Sequence, residues 1–211
     1  MNDAGRVIAG SARGKHLRAP GDGTRPLGDR VKQTLFAILE PDLAAARVLD
    51  LFAGSGAGGI EALSRGAAHA IFVEHDAAAA RVIVENLTGT RLGERGRVVR
   101  ADAISYLRVD AAADAPFDIV LVDPPYAAVG LLSAALERLG SAEPPLLSAE
   151  AWVVGKHFWK TPPPASVGLL ASVRSRRFGE TALTFYRLAE TRPEDVGLVS
   201  DFDRDTPAGK A

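Results

Sequence analysis

The chain has 211 residues, of which 47% are hydrophobic, and its formal net charge is −1. A chain of this length and composition has enough apolar surface to fold around a core, which excludes disorder of the whole chain. Because the sequence contains no cysteine, disulfides, thiolate metal sites and a cysteine nucleophile are excluded as well.

No segment is typical of a membrane span or an export signal. The apolar runs are shorter than the roughly 20 residues that a transmembrane helix needs, and the polar, basic N-terminus lacks the apolar stretch of a secretory signal. We therefore expect a cytoplasmic protein without a membrane partner. His69 and His75 do not have the spacing of metal ligands, so we also expect no metal ion.

The first 40 residues predict a small extension made of a β-hairpin and a helix. Strands are predicted at 6–10 and 16–19, on either side of a basic turn that contains Gly and Ser. The apolar spacing between Asp29 and Leu39 predicts a helix, and Pro41 is a stop signal just beyond it.

Strands and helices alternate from residue 48 onward, which predicts an α/β domain with a doubly wound, mostly parallel sheet. The predicted strands are 48–52, 70–74, 97–100 and 117–122, and the predicted helices are 57–65, 76–87, 103–108 and 130–139. The strands are continuous apolar runs, so both faces of the sheet should be covered.

The remainder of the chain lacks long helical patterns. A strand at 151–154 and two runs near 168–176 and 182–188 predict a further strand and a C-terminal antiparallel hairpin that completes the sheet. The main domain is therefore expected to span 41–189. Residues 190–211 are polar and aperiodic and are expected to form a disordered tail.

A glycine-rich turn follows the first strand of this domain. Gly54, Gly56 and Gly59 satisfy G-x-G-x-x-G, and Glu74 ends the next strand, twenty residues after the first glycine. Such glycines let the backbone approach a ligand at a helix N-terminus, and such an acid accepts hydrogen bonds from a ribose diol. The pattern fits a dinucleotide such as NAD, and it fits S-adenosylmethionine equally well.

Two further carboxylates favour S-adenosylmethionine. Asp50 lies inside an apolar strand, where a buried carboxylate needs hydrogen-bond donors. The methionine ammonium, a water molecule or backbone amides would supply them. Asp102, followed by Ala103, either meets the adenine amine or caps the next helix, and the two roles are compatible.

The tetrapeptide Asp123-Pro124-Pro125-Tyr126 follows the fourth predicted strand. An exocyclic purine amine is a poor nucleophile because its lone pair is delocalised into the ring. Asp123 would accept one N–H of such an amine and the Pro124 carbonyl the other, while both prolines stiffen the backbone and Tyr126 stacks on the base. The alternative is a simple turn with an incidental tyrosine.

Positive charge is concentrated near both ends of the chain. Residues 1–32 carry seven Arg or Lys against three acids, and residues 156–187 carry six against one. If these segments meet in the fold, they form one patch suited to phosphates. The alternative is that they are ordinary solvated faces.

Together these motifs resemble the RsmD-type 16S rRNA guanine-N2 methyltransferases over about residues 6–188. The shared segments are Val7–Gly10, Thr24–Pro26, Asp29–Val31, Asp50–Gly56, Gly59–Gly66, Glu74, Asp102–Ala103, Asp123–Tyr126, Arg177–Thr181 and Phe185–Tyr186. The combination of the Asp-Pro-Pro-Tyr motif with the N-terminal segments is more specific than the motif alone.

The resemblance implies a class I, Rossmann-like methyltransferase with S-adenosylmethionine as cofactor. The implied substrate is 16S rRNA in the 30S subunit or its assembly intermediate. The implied catalytic residues are Asp123, Pro124, Pro125 and Tyr126. The implied cofactor-binding residues are Asp50, Phe52, Ala53, Gly54, Ser55, Gly56, Glu74, His75, Asp102 and Ala103. The implied RNA-binding residues are Arg6, Arg13, Lys15, Arg18, Arg25 and Arg30.

The sequence departs from the family pattern at positions outside the cofactor motifs. Leu27 and Gly28 replace small hydroxyl residues, the helix from Val31 to Ala37 differs, and Lys156 stands before His157 where an acid is common. Methyl transfer to DNA adenine N6 or protein glutamine, an NAD-dependent oxidoreductase and a non-catalytic RNA-binding relative remain as alternatives. An oxidoreductase would need a hydride-transfer acid/base and a second domain, neither of which the sequence identifies.

Overall fold

The computed structural model describes residues 3–21, 27–126, 128, 130–141 and 143–189. The strands are β1 (Asp3–Arg6), β2 (His16–Arg18), β3 (Arg47–Leu51), β4 (His69–Glu74), β5 (Gly96–Arg100), β6 (Phe117–Val122), β7 (Leu147–Phe158), β8 (Ser166–Val167), β9 (Leu170–Phe178) and β10 (Thr181–Leu188). The α-helices are α1 (Asp29–Leu39), α2 (Ala57–Ser64), α3 (Ala77–Thr90), α4 (Ala103–Val109), α5 (Ala111–Asp114) and α6 (Leu131–Ser141).

The larger sheet has eight strands in the order β5-β4-β3-β6-β7-β10-β9-β8. The strands from β5 to β7 run parallel, and β10, β9 and β8 continue the sheet in antiparallel pairs. This confirms the doubly wound, mostly parallel sheet with a C-terminal hairpin. The winding direction reverses between β3 and β6, and the crevice at the carboxyl ends of these two strands is where such sheets bind ligands.

The two faces of the sheet are covered by different helices, as the apolar strands predict. On one face, β-strand residues such as Val48 and Phe72 pack in a core with buried side chains of α1, α2 and α3. On the other face, Leu49 and Val120 pack with side chains of α4 and α6. Successive residues of β3 thus enter opposite cores, as the alternation of a strand requires.

Most elements of the main domain lie where the sequence predicts them. The helix α1 has the predicted bounds, and the elements between 48 and 139 end within three residues of their predicted limits. The strand β7 is longer than the predicted 151–154. The one-turn helix α5 was not predicted, because four residues are too few to show a helical period.

The prediction of a strand at 6–10 is wrong, because the first hairpin strand is Asp3–Arg6. The backbone N–H groups of Ile8 and Ala9 donate to the carboxylate of Glu61 on α2, at 2.8 and 3.0 Å. These amides therefore do not join a strand ladder. The division of the chain at residue 40 stays a prediction, and residues 190–211 lie outside the described residues.

Glu61 is fully buried and also accepts from the guanidinium of Arg65 at 2.8 Å. With Ser64, whose hydroxyl donates to the Ala9 carbonyl, it fastens the N-terminal loop to α2. Within the part of the chain that the structure describes, no helix is long and apolar enough to cross a membrane.

We predict that Glu61→Ala lowers the free energy of unfolding by about 3 kcal/mol, because the Ile8 and Ala9 amides and Arg65 would lose a buried charged acceptor. Urea unfolding followed by circular dichroism would measure the change. The control Glu94→Ala removes a carboxylate from an exposed turn and should change stability by less than about 0.5 kcal/mol. Equal losses in both variants would contradict the role of Glu61.

Candidate active site

A cavity of about 690 Å³ opens at the carboxyl ends of β3, β4, β6 and β7. Its wall is formed by the glycine turn after β3, the end of β4, the Asp123–Tyr126 corner after β6, and Lys156 of β7. The N-terminal segment borders it as well, through residues 19–21 and through Leu27, Gly28 and Val31. Segments from both ends of the chain therefore meet around one cavity.

The glycine turn has the backbone shape that its sequence indicates. Gly54 lies at φ +56°, a left-handed conformation that favours glycine. A Cβ atom on Gly59 would lie 2.4 Å from the ring of Phe72, so this glycine allows α2 to pack closely on the sheet. The two glycines thus serve different purposes, one in the turn and one in the packing behind it.

Asp50 lies at the buried back of the cavity and is 4% exposed. Its Oδ2 accepts a hydrogen bond from the Gly59 N–H at 2.8 Å, so a backbone amide supplies one of the predicted donors. The pKa of Asp50 is raised to about 7, mainly by burial and also by the nearby Asp123 and Glu74 carboxylates, while the hydrogen bond from Gly59 opposes the rise. The site therefore favours a cation beside Asp50.

Glu74 is buried and binds backbone N–H groups of the glycine turn and of the segment after β4. Its Oε2 accepts from the N–H of Gly54 and its Oε1 from the N–H of Asp76, both at 2.9 Å. The Oε1 atom also lies 3.1 Å from the Nδ1 of His75. The carboxylate therefore fixes the shape of the glycine turn, and its Oε2 retains a second lone pair that a ligand hydroxyl can use.

Asp102 has the capping role that was one of its two predicted functions. Its Oδ1 accepts from the Ser105 N–H at 2.8 Å, and this hydrogen bond lowers the pKa of Asp102. Asp102 is exposed, Ala103 is buried, and neither lines the cavity. The contact of Asp102 with an adenine amine stays a prediction.

The structure brings most of the predicted cofactor-binding residues together. Those that line the cavity are Asp50, Phe52, Ala53, Gly54, Ser55, Glu74 and His75. Gly56 begins α2 just behind the turn. Their contacts with a cofactor stay predictions.

The Asp-Pro-Pro-Tyr corner forms another part of the cavity wall, and all four of its residues line it. The Asp123 carboxylate has one oxygen 2.7 Å from the ammonium of Lys156, and its other oxygen is also 2.7 Å away. Tyr126 is 41% exposed, and its hydroxyl hydrogen-bonds the hydroxyl of Thr181 at 2.7 Å. An acceptor and an aromatic ring are thus held side by side.

Lys156 and Thr181 are site residues that the sequence analysis did not assign. Two features of the sequence could have identified Lys156 as a site residue: it is a charged residue in an apolar strand, and it departs from the family pattern. Thr181 carries no comparable signal, because its contact with Tyr126 depends on how β10 pairs with β7.

The predicted RNA-binding residues lie on the N-terminal segment, but two of them pair with acids. Arg6 lies 3.4 Å from Asp29, and Arg18 lies 2.8 Å from Glu85. The other described members, Arg13, Lys15 and Arg30, are exposed. Arg25 lies outside the described residues. The described residues contain no cluster of three acidic or histidine side chains placed to hold a metal ion.

The fold, with its cavity between the glycine turn after β3 and the Asp-Pro-Pro-Tyr corner after β6, is that of a class I methyltransferase. The family model described as Conserved hypothetical protein 95 matches residues 5–187. The chain belongs to this family, the RsmD-type methyltransferases, which confirms the resemblance seen in the sequence.

The relatives support the same assignment. The Bacillus subtilis (strain 168) protein YlbH is 38% identical over 183 residues, 86% of this chain and 98% of that protein. Ribosomal RNA small subunit methyltransferase D of Escherichia coli (strain K12) is 46% identical over 122 residues, 57% of this chain and 60% of that protein. The solved structure of yhhF from Escherichia coli has a TM-score of 0.75 at 36% identity, covering 88% of this chain and 98% of that one.

Family membership also decides between the two cofactors that fit the glycine turn. The cofactor of this methyltransferase class is S-adenosylmethionine, so the NAD-dependent oxidoreductase alternative is dropped. The buried Asp50 carboxylate agrees with that choice, because it suits a cationic ligand.

Asp50 makes a testable contribution to the pH dependence of stability. Its pKa is raised in the folded protein, so the folded state keeps a proton that the unfolded state loses as pH rises from about 4 to about 7. Wild-type stability therefore falls over this range relative to Asp50→Asn, by roughly 2 to 4 kcal/mol. Urea unfolding of both proteins between pH 4 and 8 measures the difference, and a constant difference would contradict the raised pKa.

Proposed function

We propose that this protein transfers a methyl group from S-adenosylmethionine to the exocyclic N2 amine of a guanine in 16S rRNA. The proposed substrate is the 30S ribosomal subunit, or an intermediate of its assembly, in the bacterial cytoplasm. One observation carries the proposal: the glycine turn and the Asp123–Tyr126 corner border the same cavity. A methyl donor and an acceptor amine bound there would be adjacent.

The β3 and β4 side of the cavity fits a cationic nucleoside. Asp50 and Glu74 place two carboxylates on its wall, and the N-terminus of α2 points backbone N–H groups towards the turn. We assign Asp50 to the methionine ammonium, directly or through water, and Glu74 to the ribose hydroxyls. When bound, S-adenosylmethionine supplies an electrophilic methyl group on a sulfonium.

The β6 side of the cavity is assigned to the guanine. Asp123 accepts one N–H of the N2 amine and the Pro124 carbonyl accepts the other, which keeps the nitrogen lone pair aimed at the methyl donor. As the new N–C bond formed, the bond between the methyl carbon and the donor sulfur would break and return its electron pair to the sulfur. Positive charge would develop on the nitrogen, where the Asp123 carboxylate would stabilise it. The methylated amine would then lose one proton to solvent.

Tyr126 is assigned to stacking on the guanine ring. Its hydroxyl is held by Thr181, and its ring lies 6.4 Å from that of Phe158, so its orientation is fixed before a base arrives. A guanine inside a helix must leave the base stack to reach this corner, so the acceptor is best placed in a loop or in an incompletely assembled particle.

Two observations support RNA as the substrate. The Escherichia coli relative is named for the ribosomal RNA of the small subunit. The loop between β1 and β2 carries the exposed cations Arg13 and Lys15, and the same N-terminal segment borders the cavity through residues 19–21. We assign these cations to RNA phosphates, with Arg6, Arg18, Arg25 and Arg30 as further members of the surface.

Isotope-labelled S-adenosylmethionine and 30S particles that lack the modification test the proposal. We expect label in 16S rRNA as N2-methylguanosine, located by mass spectrometry of nuclease fragments. Parallel reactions with naked 16S rRNA, DNA and a protein extract test the alternative substrates. Transfer to DNA adenine or protein glutamine without transfer to RNA would overturn the proposal.

We predict that Asp123→Ala lowers the rate of methyl transfer by at least about a thousandfold, because the acceptor for the amine is lost. The affinity for S-adenosylmethionine, measured by calorimetry, should stay within a few fold. The control Glu137→Ala removes an exposed carboxylate on α6 and should leave the rate unchanged. A comparable loss of cofactor affinity in Asp123→Ala would refute the assignment of Asp123 to the amine.

A further inference from the structure

Lys156 forms an ion pair with Asp123 inside the cavity. It lies in β7, where the residues on both sides, Gly155 and His157, are buried, and its own side chain is 14% exposed. Its ammonium is 2.7 Å from each oxygen of Asp123 and 5.6 Å from the centre of the Tyr126 ring. The residue therefore contacts the acceptor and the stacking ring at the same time.

The charge of Asp123 matters because an ionised carboxylate is an acceptor only, whereas a protonated carboxyl carries an O–H donor on one of its oxygens. Burial raises the pKa of Asp123, and the Lys156 ammonium opposes this effect. The other titratable groups around it are Asp50 on β3, which interacts electrostatically with Asp123, and Glu74 on β4, which acts on Asp50. Asp50 is an acid, and its carboxylate disfavours ionisation of Asp123.

We propose that Lys156 is a positioning residue for methyl transfer, which keeps the Asp123 carboxylate ionised and oriented as the acceptor for the substrate amine. Among the described residues, it is the cation that forms an ion pair with Asp123. This proposal rests on the function proposed above, and it assigns a role to a position where the chain departs from its family.

The arrangement leaves room for the substrate. A carboxylate has about four lone-pair positions, and one bridging ammonium uses about two of them. The ammonium of Lys156 also contacts the Tyr126 ring. This second contact holds the ammonium in place if the carboxylate shifts when a base enters. Asp123 can then accept an amine N–H while it remains paired with Lys156.

A substrate-free measurement tests the effect on Asp123 directly. Asp123 is followed by carbon-13 NMR of protein with labelled aspartate side chains, and the signal is assigned by its loss in Asp123→Asn. In Lys156→Gln we expect the Asp123 carboxyl to titrate at least about one pH unit higher than in the wild type. Titration at the same pH in both proteins would overturn the proposal, whatever the substrate of the enzyme is.

The rate of methyl transfer under single-turnover conditions gives the second readout. In Lys156→Gln the acid limb of the pH–rate profile should move to higher pH, so that the rate at pH 6.5 falls about tenfold or more and largely recovers at pH 9. Lys156→Arg should keep the wild-type profile because it keeps the charge. A uniform loss at every pH would indicate a structural role and overturn the proposal.

Two controls complete the design. Lys160→Gln removes the same charge just beyond β7, where Lys160 packs on Trp159, and it should not move the acid limb. Circular dichroism and cofactor calorimetry verify that Lys156→Gln is folded, and Lys156→Met takes its place in both measurements if it is not. If the wild type transfers no methyl group to 30S particles while the NMR shift is observed, the proposed function fails and the role of Lys156 in ionising Asp123 stands.

Discussion

The parallel pairing of β3 with β6 is the constraint on which the site depends. Its register sets Leu51 beside Val122, so the two strands end at the same level of the sheet. The glycine turn leaves one strand and the Asp-Pro-Pro-Tyr corner leaves the other. Two chain segments more than sixty residues apart in sequence thereby line one cavity.

Asp50, Glu74 and Asp123 are three of the carboxylates that line this cavity, and each is held by donors of the protein itself. Asp50 accepts a hydrogen bond from a buried backbone amide of α2, Glu74 accepts from two backbone amides, and Asp123 accepts from the ammonium of Lys156. Acids that are held in this way cannot turn away from a ligand. These acceptor oxygens are therefore in place before a ligand enters the cavity.

The sheet was predictable because each strand is a continuous apolar run followed by a helix, a local pattern that needs no knowledge of distant residues. The N-terminal hairpin was misplaced because the Ile8 and Ala9 amides bind Glu61, more than fifty residues away. The partnership of Lys156 with Asp123 was hidden for the same reason, since it depends on the pairing of β6 with β7. Asp102 could be assigned as a cap because capping is local.

The helix α2 lies beside the cavity at one end and contacts the loop between β1 and β2 at the other. Its first turn follows the glycines beside the cavity, while Glu61 and Ser64 on its later turns hold the basic loop between β1 and β2. This eight-residue helix thus fixes the distance between the glycine turn and the loop that carries Arg13 and Lys15. Whatever binds in the cavity and whatever binds to the loop are consequently held at a separation that the fold itself sets.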